Sequence, residues 1–227
     1  MPEALARIER LIEERGTTSL VATVNPEFVM RAQADAHFRG VLEAADLCLA
    51  DGIGVVWAMR RQGCRTQQRV AGSDLVPGLA QLCAGRGWRP FLLGARPGVA
   101  AEAARRLEET MPGLQVAGCH AGSPAPEDDE ESLRRIHGSG ADLLLVAYGH
   151  PRQELWIERN RGRLGVPLAV GVGGAFDFLA GRVRRAPELV RRAHLEWLWR
   201  LALEPWRVRR MAVLPLYALA VLRDGKA

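Results

Sequence analysis

No stretch of about 18 consecutive apolar residues occurs in this sequence, so no helix crossing a membrane is expected. The uncharged run Met211–Leu222 has twelve residues, too few to span about 30 Å of hydrocarbon as a helix. The N-terminal MPEALARIERLIEERG is charged and amphipathic and has no apolar core of a signal peptide, so no secretory leader is expected. CxxC pairs and His-rich spacings are also missing. The four cysteines, Cys48, Cys64, Cys83 and Cys119, are scattered, three of them in or beside apolar runs. That excludes the familiar zinc and disulfide frameworks and predicts reduced core thiols in a cytosolic chain. A full GxGxxG fingerprint is lacking too. The nearest approach, Gly171-Val172-Gly173-Gly174-Ala175-Phe176-Asp177, comes late and has no acidic residue at the required distance in a second strand. A dinucleotide-dependent oxidoreductase is thereby poorly supported. Lysine is almost missing, Lys226 being the only one, and no function follows from that.

What is present is a globular balance: 48% hydrophobic and 25% charged residues over 227 positions, enough for one large domain or a domain with an appendage. The charge is uneven. Residues 182–227 hold eleven Lys/Arg against four Asp/Glu, a net of +7, so the rest of the chain carries −2 of the total +5. The basic character belongs to the C-terminal fifth, which suggests phosphates, anionic lipid or nucleic acid as a contact.

Short apolar runs alternate with helical patterns. Strands are predicted at Ser19–Val24, Leu47–Ala50, Pro90–Leu93, Leu114–Cys119, Leu143–Ala147 and Val166–Val170. Helices follow, among them one from Asn25-Pro26 to about Phe38, one capped by Ser73 or Asp74, Val99–Thr110, and one with Pro151 in its first turn. Alternation of this kind predicts an α/β fold: a parallel sheet of about six strands with helices on both faces. No break is evident before about residue 195, so a body at 1–195 and a helical, basic, membrane-binding appendage at 196–227 are expected.

Polar residues gather where strands give way to helices, the place where ligands collect in open α/β sheets. Thr23 and Asn25 close the first strand, and Asn25 also suits a plain helix cap. Asp51 follows the second strand beside Gly52 and Gly54, where backbone can approach a ligand closely; a capping Asp is the simpler reading. Arg69 stands in a polar connection and could be a solvated surface residue. Gly94 ends the third strand. Gly149, Pro151, Gln153 and Glu154 follow the fifth, where a surface Gln and Glu are the plain alternative. Phe176 and Asp177 offer stacking and hydrogen bonding to a base or sugar. In the last segment Trp197, Trp199, Trp206 and Tyr217 lie among arginines. This suits a membrane interface, or a C-terminal helix docked on the body or in an oligomer.

Taken in order, Thr23-Val24-Asn25, Ala50-Asp51-Gly52-Ile53-Gly54, Arg69 before Gly72-Ser73-Asp74, Phe91-Leu92-Leu93-Gly94, Gly149-His150-Pro151-Arg152-Gln153-Glu154, the Gly171–Asp177 run, Arg185-Ala186-Pro187, and Glu196-Trp197 with Arg200, Glu204-Pro205 and Arg207 closely resemble the WecG/TagA/CpsF family of bacterial glycosyltransferases. The resemblance covers nearly the whole chain and implies a Rossmann-like α/β domain with a C-terminal appendage that aids membrane association and closes over the active site. It implies inverting transfer of a sugar, N-acetylmannosamine or its uronic acid in the best-known members and glucose in others, from a UDP-sugar to a polyprenyl-diphosphate-linked acceptor such as GlcNAc. It further implies work at the inner face of the cell membrane, in cell-surface polysaccharide or teichoic-acid-type synthesis, with no metal and no cofactor beyond the UDP-sugar co-substrate. By the same resemblance Asp51 is the general base and Thr23 its neighbour that positions a sugar. Arg69 and Gln153 bind substrate. Arg200, Arg207 and Arg210 reach the lipid diphosphate or the UDP phosphates. Asn25, Gly94, Gly149, Pro151, Phe176 and Asp177 are the candidates for the rest of the pocket, and His150 occupies a variable position of the motif. Anionic lipid at the membrane surface is an expected partner, as is a second copy of the chain off the membrane. Nucleic acid is not expected, because the basic tail has aromatics but no recognisable reader motif.

Overall fold

The computed structural model describes residues 1–64, 68–192, 195–203, 205 and 208–224, with backbone alone at 191, 192, 200, 209, 210 and 224. Arg207 thus lies outside the described residues, as do the side chains of Arg200 and Arg210. Six short strands form one parallel sheet: β1 (Ser19–Val24), β2 (Leu47–Ala50), β3 (Pro90–Gly94), β4 (Gly118–His120), β5 (Leu143–Ala147) and β6 (Leu168–Gly171), in the order β2-β1-β6-β5-β3-β4. The expected parallel α/β architecture is therefore present. Alternation within a strand sends successive side chains to opposite faces. Leu143 and Leu145 join one core layer, while Leu144 and Val146 join the other. The first layer is closed by α1 (Pro2–Glu13), α5 (Gly72–Arg86), α6 (Val99–Thr110) and α9 (Ala175–Leu179), through Ile8, Leu79, Leu107 and Phe176. The second is closed by α7 (Asp129–His137) and α8 (Arg152–Asn160), through Ile136, Trp156 and Ile157.

Several boundaries differ from expectation for identifiable reasons. The helix after Asn25 is two helices, α2 (Pro26–Ala34) and α3 (Ala36–Glu43). Asp35 leaves helical geometry between them, and its carboxylate accepts from Phe38 N at 3.1 Å, capping α3. β4 is shorter than predicted and starts later, because Val116 N is taken by the Glu108 side chain at 2.8 Å and the ladder with β3 begins only at Gly118. Neither Ser73 nor Asp74 caps α5: Ala71 precedes it, and both polar residues lie in its first turn. Pro151 stands just before α8 rather than within its first turn. Of the cysteines only Cys83 is a core thiol; Cys48 and Cys64 are exposed and Cys119 is half-buried.

After β6 the chain continues through α9 to α10 (Glu188–Arg192), α11 (Glu196–Leu203), α12 (Val208–Met211) and α13 (Val213–Asp224), with α4 (Ile53–Arg61) and α2 below the last of these. α13 packs on α2, and Tyr217 is buried with its hydroxyl donating to Gly54 O at 3.2 Å. Gly54 is required here, since a Cβ would stand 3.0 Å from Pro26 and 3.5 Å from the Tyr217 ring. Docking on the body is thus realised for α13. Among the described residues no helix is long and apolar enough to cross a membrane. Yet of the ten large apolar side chains exposed among the described residues, nine, including Leu189, Trp197, Leu198 and Leu216, fall between residues 189 and 222, so the exposed apolar surface described is concentrated in this segment.

Two candidate pocket residues belong to the scaffold instead. Phe176 is fully buried in the first core layer and is not available to stack on a ligand. Gly94, at φ +102°, lets the end of β3 pass the backbone of Ala147, where a Cβ would come within 2.8 Å of the carbonyl carbon. Phe176→Ala should therefore lower unfolding stability by about 3–5 kcal/mol, read from the denaturant midpoint, as expected of an emptied core site.

Candidate active site

The carboxyl ends of β1, β2, β5 and β6 open into one cavity of about 650 Å³. β1 delivers Thr23, a buried residue whose hydroxyl donates to Gly171 O at 2.9 Å and so ties the end of β1 to the end of β6. Asn25 also lines the cavity, but its Oδ1 is engaged as the α2 cap, accepting from Glu27 N at 2.9 Å and Phe28 N at 3.3 Å. β2 delivers Asp51, held through its own N–H to Val24 O at 2.7 Å. Its Oδ2 accepts from Gly72 N, the first residue of α5, at 3.3 Å. A Cβ on Gly72 would lie 3.7 Å from both Asp51 Oδ2 and Thr23 Oγ1, so the two side chains converge on that glycine.

Burial pushes the Asp51 carboxyl up to about 6, against the Gly72 N–H and the positive charge of Arg69, which favour ionisation; the charges of Glu196 and Asp74 add to the rise. A carboxylate that ionises near neutral pH and faces a cavity can take a proton from a hydroxyl. Arg69 lines the same cavity and donates from Nη2 to Glu196 Oε2 at 2.9 Å. Asp177 also lines it and accepts from Arg96 Nη2 at 3.3 Å.

The motif after β5 is not a surface feature. Gln153 and Glu154 are buried, 1% and 0% exposed. Gln153 Oε1 accepts from Gly149 N at 3.1 Å and Gly173 N at 3.0 Å, joining the loop after β5 to the loop after β6. Its Nε2 donates to Glu154 Oε1 at 2.7 Å. Gly171 admits this pair, since a Cβ there would lie 2.5 Å from Glu154 Oε1 and 2.6 Å from Gln153 Nε2. The carboxamide thus uses both ends on the scaffold while bordering the cavity. Gly149 lines the cavity; Pro151 does not. His150 does, stacked on Phe28 with ring centroids 4.8 Å apart and with Nε2 3.3 Å from Glu27 Oε2.

One wall comes from the C-terminal segment, to which the family resemblance gives the closing of the active site, although none of the six residues that form it was a pocket candidate. Glu196, Trp197, Met211, Leu214, Tyr217 and Ala218 close the cavity from the C-terminal segment. Glu196-Trp197 was visible as a motif, but nothing local to it reveals that the Glu is buried against Arg69. Among the described residues no cluster of three or more His, Cys, Asp or Glu side chains could hold a metal ion.

A parallel sheet with a perturbed carboxylate, an arginine and close-approach glycines around one cavity at its strand ends is the arrangement of a ligand-binding enzyme site in an open α/β fold. The sequence model of the glycosyl transferase WecG/TagA/CpsF family matches residues 1–227, and the chain belongs to that family. It is a glycosyltransferase. A relative from Bacillus spizizenii (strain ATCC 23059 / NRRL B-14472 / W23) is 36% identical over 223 residues, covering 98% of this chain and 86% of its own length. Another from Bacillus subtilis (strain 168) is 36% identical over 208 residues, covering 92% and 80% respectively. Both are named N-acetylglucosaminyldiphosphoundecaprenol N-acetyl-beta-D-mannosaminyltransferase.

Burial raises the Glu154 carboxyl from 4.5 to about 7, partly offset by the Gln153 donor. The folded protein therefore keeps a proton that the unfolded chain releases above pH 4.5, and stability falls as pH rises from about 4.5 to 7. Glu154→Gln should flatten that fall by on the order of 2 kcal/mol, seen by comparing chemical unfolding at pH 5 and pH 7.5.

Proposed function

We propose that this glycosyltransferase moves N-acetylmannosamine, or its uronic acid, from a UDP-sugar to GlcNAc on a polyprenyl diphosphate, with inversion at the anomeric carbon. The names of the two relatives support the acceptor and the transferred sugar. The observation that carries the chemistry is the convergence of Asp51 and Thr23 in the cavity, with the Asp51 carboxyl pushed up to about 6. The acceptor hydroxyl gives its proton to Asp51 as its oxygen bonds to the anomeric carbon. The bond from that carbon to the UDP oxygen breaks on the opposite face, and UDP leaves with the electron pair. Thr23 positions a sugar hydroxyl through the oxygen lone pairs left after its bond to Gly171. Negative charge on the departing diphosphate is offset by Arg69 and the amino end of α5, with no resident metal in the proposal. Arg200, Arg207 and Arg210 are assigned to the diphosphates on the family resemblance alone.

A polyprenyl acceptor has to be met at a bilayer. The exposed Trp197, Leu198, Leu203 and Leu216, together with the basic composition of residues 182–227, support peripheral binding to anionic lipid at the inner face of the cell membrane. On this reading residues 1–195 are the catalytic body and 196–227 the membrane-binding appendage, whose apolar surface is covered by a second copy off the membrane. The product belongs to cell-surface polysaccharide or teichoic-acid-type synthesis.

UDP release from a panel of UDP-sugars, with and without a short-chain polyprenyl-diphosphate-GlcNAc, tests the reaction. Acceptor-dependent release with UDP-N-acetylmannosamine or its uronic acid is expected; release with UDP-glucose alone would replace the donor. For the base, kcat/KM should rise with pH through about 6 as Asp51 ionises, and should be lost below that. Asp51→Asn should lower turnover by roughly 10²-fold or more while UDP still binds; near-normal turnover would remove Asp51 from the role.

A further inference from the structure

Arg185-Ala186-Pro187 and Glu196 take no part in this chemistry, yet Glu196 joins Arg185 to Arg69. Glu196 stands in the first turn of α11, 8% exposed, between two guanidinium groups. Its Oε2 accepts from Arg69 Nη2 at 2.9 Å, and its Oε1 lies 3.7 Å from Arg185 Nε. Arg185 Nη2 in turn donates to Ser73 Oγ at 3.3 Å and pairs with Asp74, both in the first turn of α5.

Among the described residues, Arg69 Nε, Arg185 Nε and Glu196 Oε1 are buried without a hydrogen-bond partner. A buried ion pair offsets its desolvation only when the remaining donors and acceptors are met. Glu196, with Asp74 and Ser73 on Arg185, leaves part of the two five-donor forks unmet. A diphosphate ester brings more acceptor oxygens and more charge, and it matches the guanidinium fork. Ser73 and Glu196 line the cavity, while Arg185 stands behind them and is not part of its wall. Moving Glu196 aside would open Arg185 to the cavity.

We infer that Arg69 and Arg185 form a diphosphate clamp whose place the Glu196 carboxylate holds in the substrate-free protein, so that a bound diphosphate displaces that side chain. The inference rests on the transferase reading, since it requires a diphosphate substrate. It differs in sign from a purely positioning role for Glu196. A residue that only oriented Arg69 would weaken diphosphate binding when neutralised. An internal competitor lowers apparent affinity by the fraction of molecules it occupies, so removing it tightens binding.

Glu196→Gln keeps the shape and one acceptor for Arg69 while removing the charge. UDP and, separately, farnesyl diphosphate are titrated calorimetrically into the full-length protein and this variant. One of the two should bind the variant roughly 5-fold or more tightly, and which one names the substrate whose diphosphate enters the clamp. Equal or weaker binding of both ligands by the variant overturns the clamp and leaves the transferase reading intact. Failure of the unmodified protein to bind either ligand overturns both. In the Glu196→Gln background, Arg185→Gln should weaken the same ligand by roughly 10-fold; unchanged affinity removes Arg185 from the clamp.

Discussion

The Gln153 carboxamide is the interaction on which the site depends. A parallel sheet delivers its loops separately, and nothing in strand pairing sets one loop against the next. Gln153 does so by accepting N–H groups from Gly149 and Gly173, one from the loop after each of two neighbouring strands. Glu154 fixes which end of the carboxamide faces those donors by accepting from its nitrogen. Thr23 extends the same tie to β1 through Gly171. The Asp51 carboxylate then stands on a rim whose parts are held by buried hydrogen bonds, where each unmade bond would be costly.

Electrostatics around the cavity follow from limited water. Asp51 and Glu154 are both pushed toward neutral pH chiefly by burial. Their surroundings separate their roles. Asp51 faces the cavity and the Arg69 charge, so its proton can be exchanged with a substrate. Glu154 is sealed behind Gly171 and meets only Gln153, so its ionisation bears on the scaffold. Glu196 is a third buried carboxylate, and it borders the cavity against an arginine.

The C-terminal segment serves the body and presents an apolar surface at once. Tyr217 is inserted against Gly54 and helps close the cavity, while Leu216 and Leu219 on the same helix remain exposed. One face of α13 is thus committed to the site while apolar side chains elsewhere on it stay exposed, so the wall of the pocket and an open apolar surface belong to one element.

Much of the fold was legible because its signals are local. The alternation of short apolar runs with helical patterns determined a parallel α/β sheet, and three of the six strands, Ser19–Val24, Leu47–Ala50 and Leu143–Ala147, coincide with their predicted limits. The ordered motifs also determined the family, and with it Thr23, Asp51 and Arg69 as residues to examine. What remained hidden depends on contacts between residues far apart in the chain. Phe176 looks like a stacking residue until the first core layer closes over it, and Gly94 looks like a ligand turn until Ala147 lies against it. Gln153 and Glu154 read as surface residues because hydrophobic periodicity cannot report a buried polar pair. Glu196 meets Arg69 across 127 positions of sequence. The sequence by itself determined the elements and the residue types at their ends, since those follow from local periodicity and backbone preference. Only the tertiary structure decided which side chains face the cavity and which ionise near neutral pH, since burial and charge pairing are properties of the packed chain.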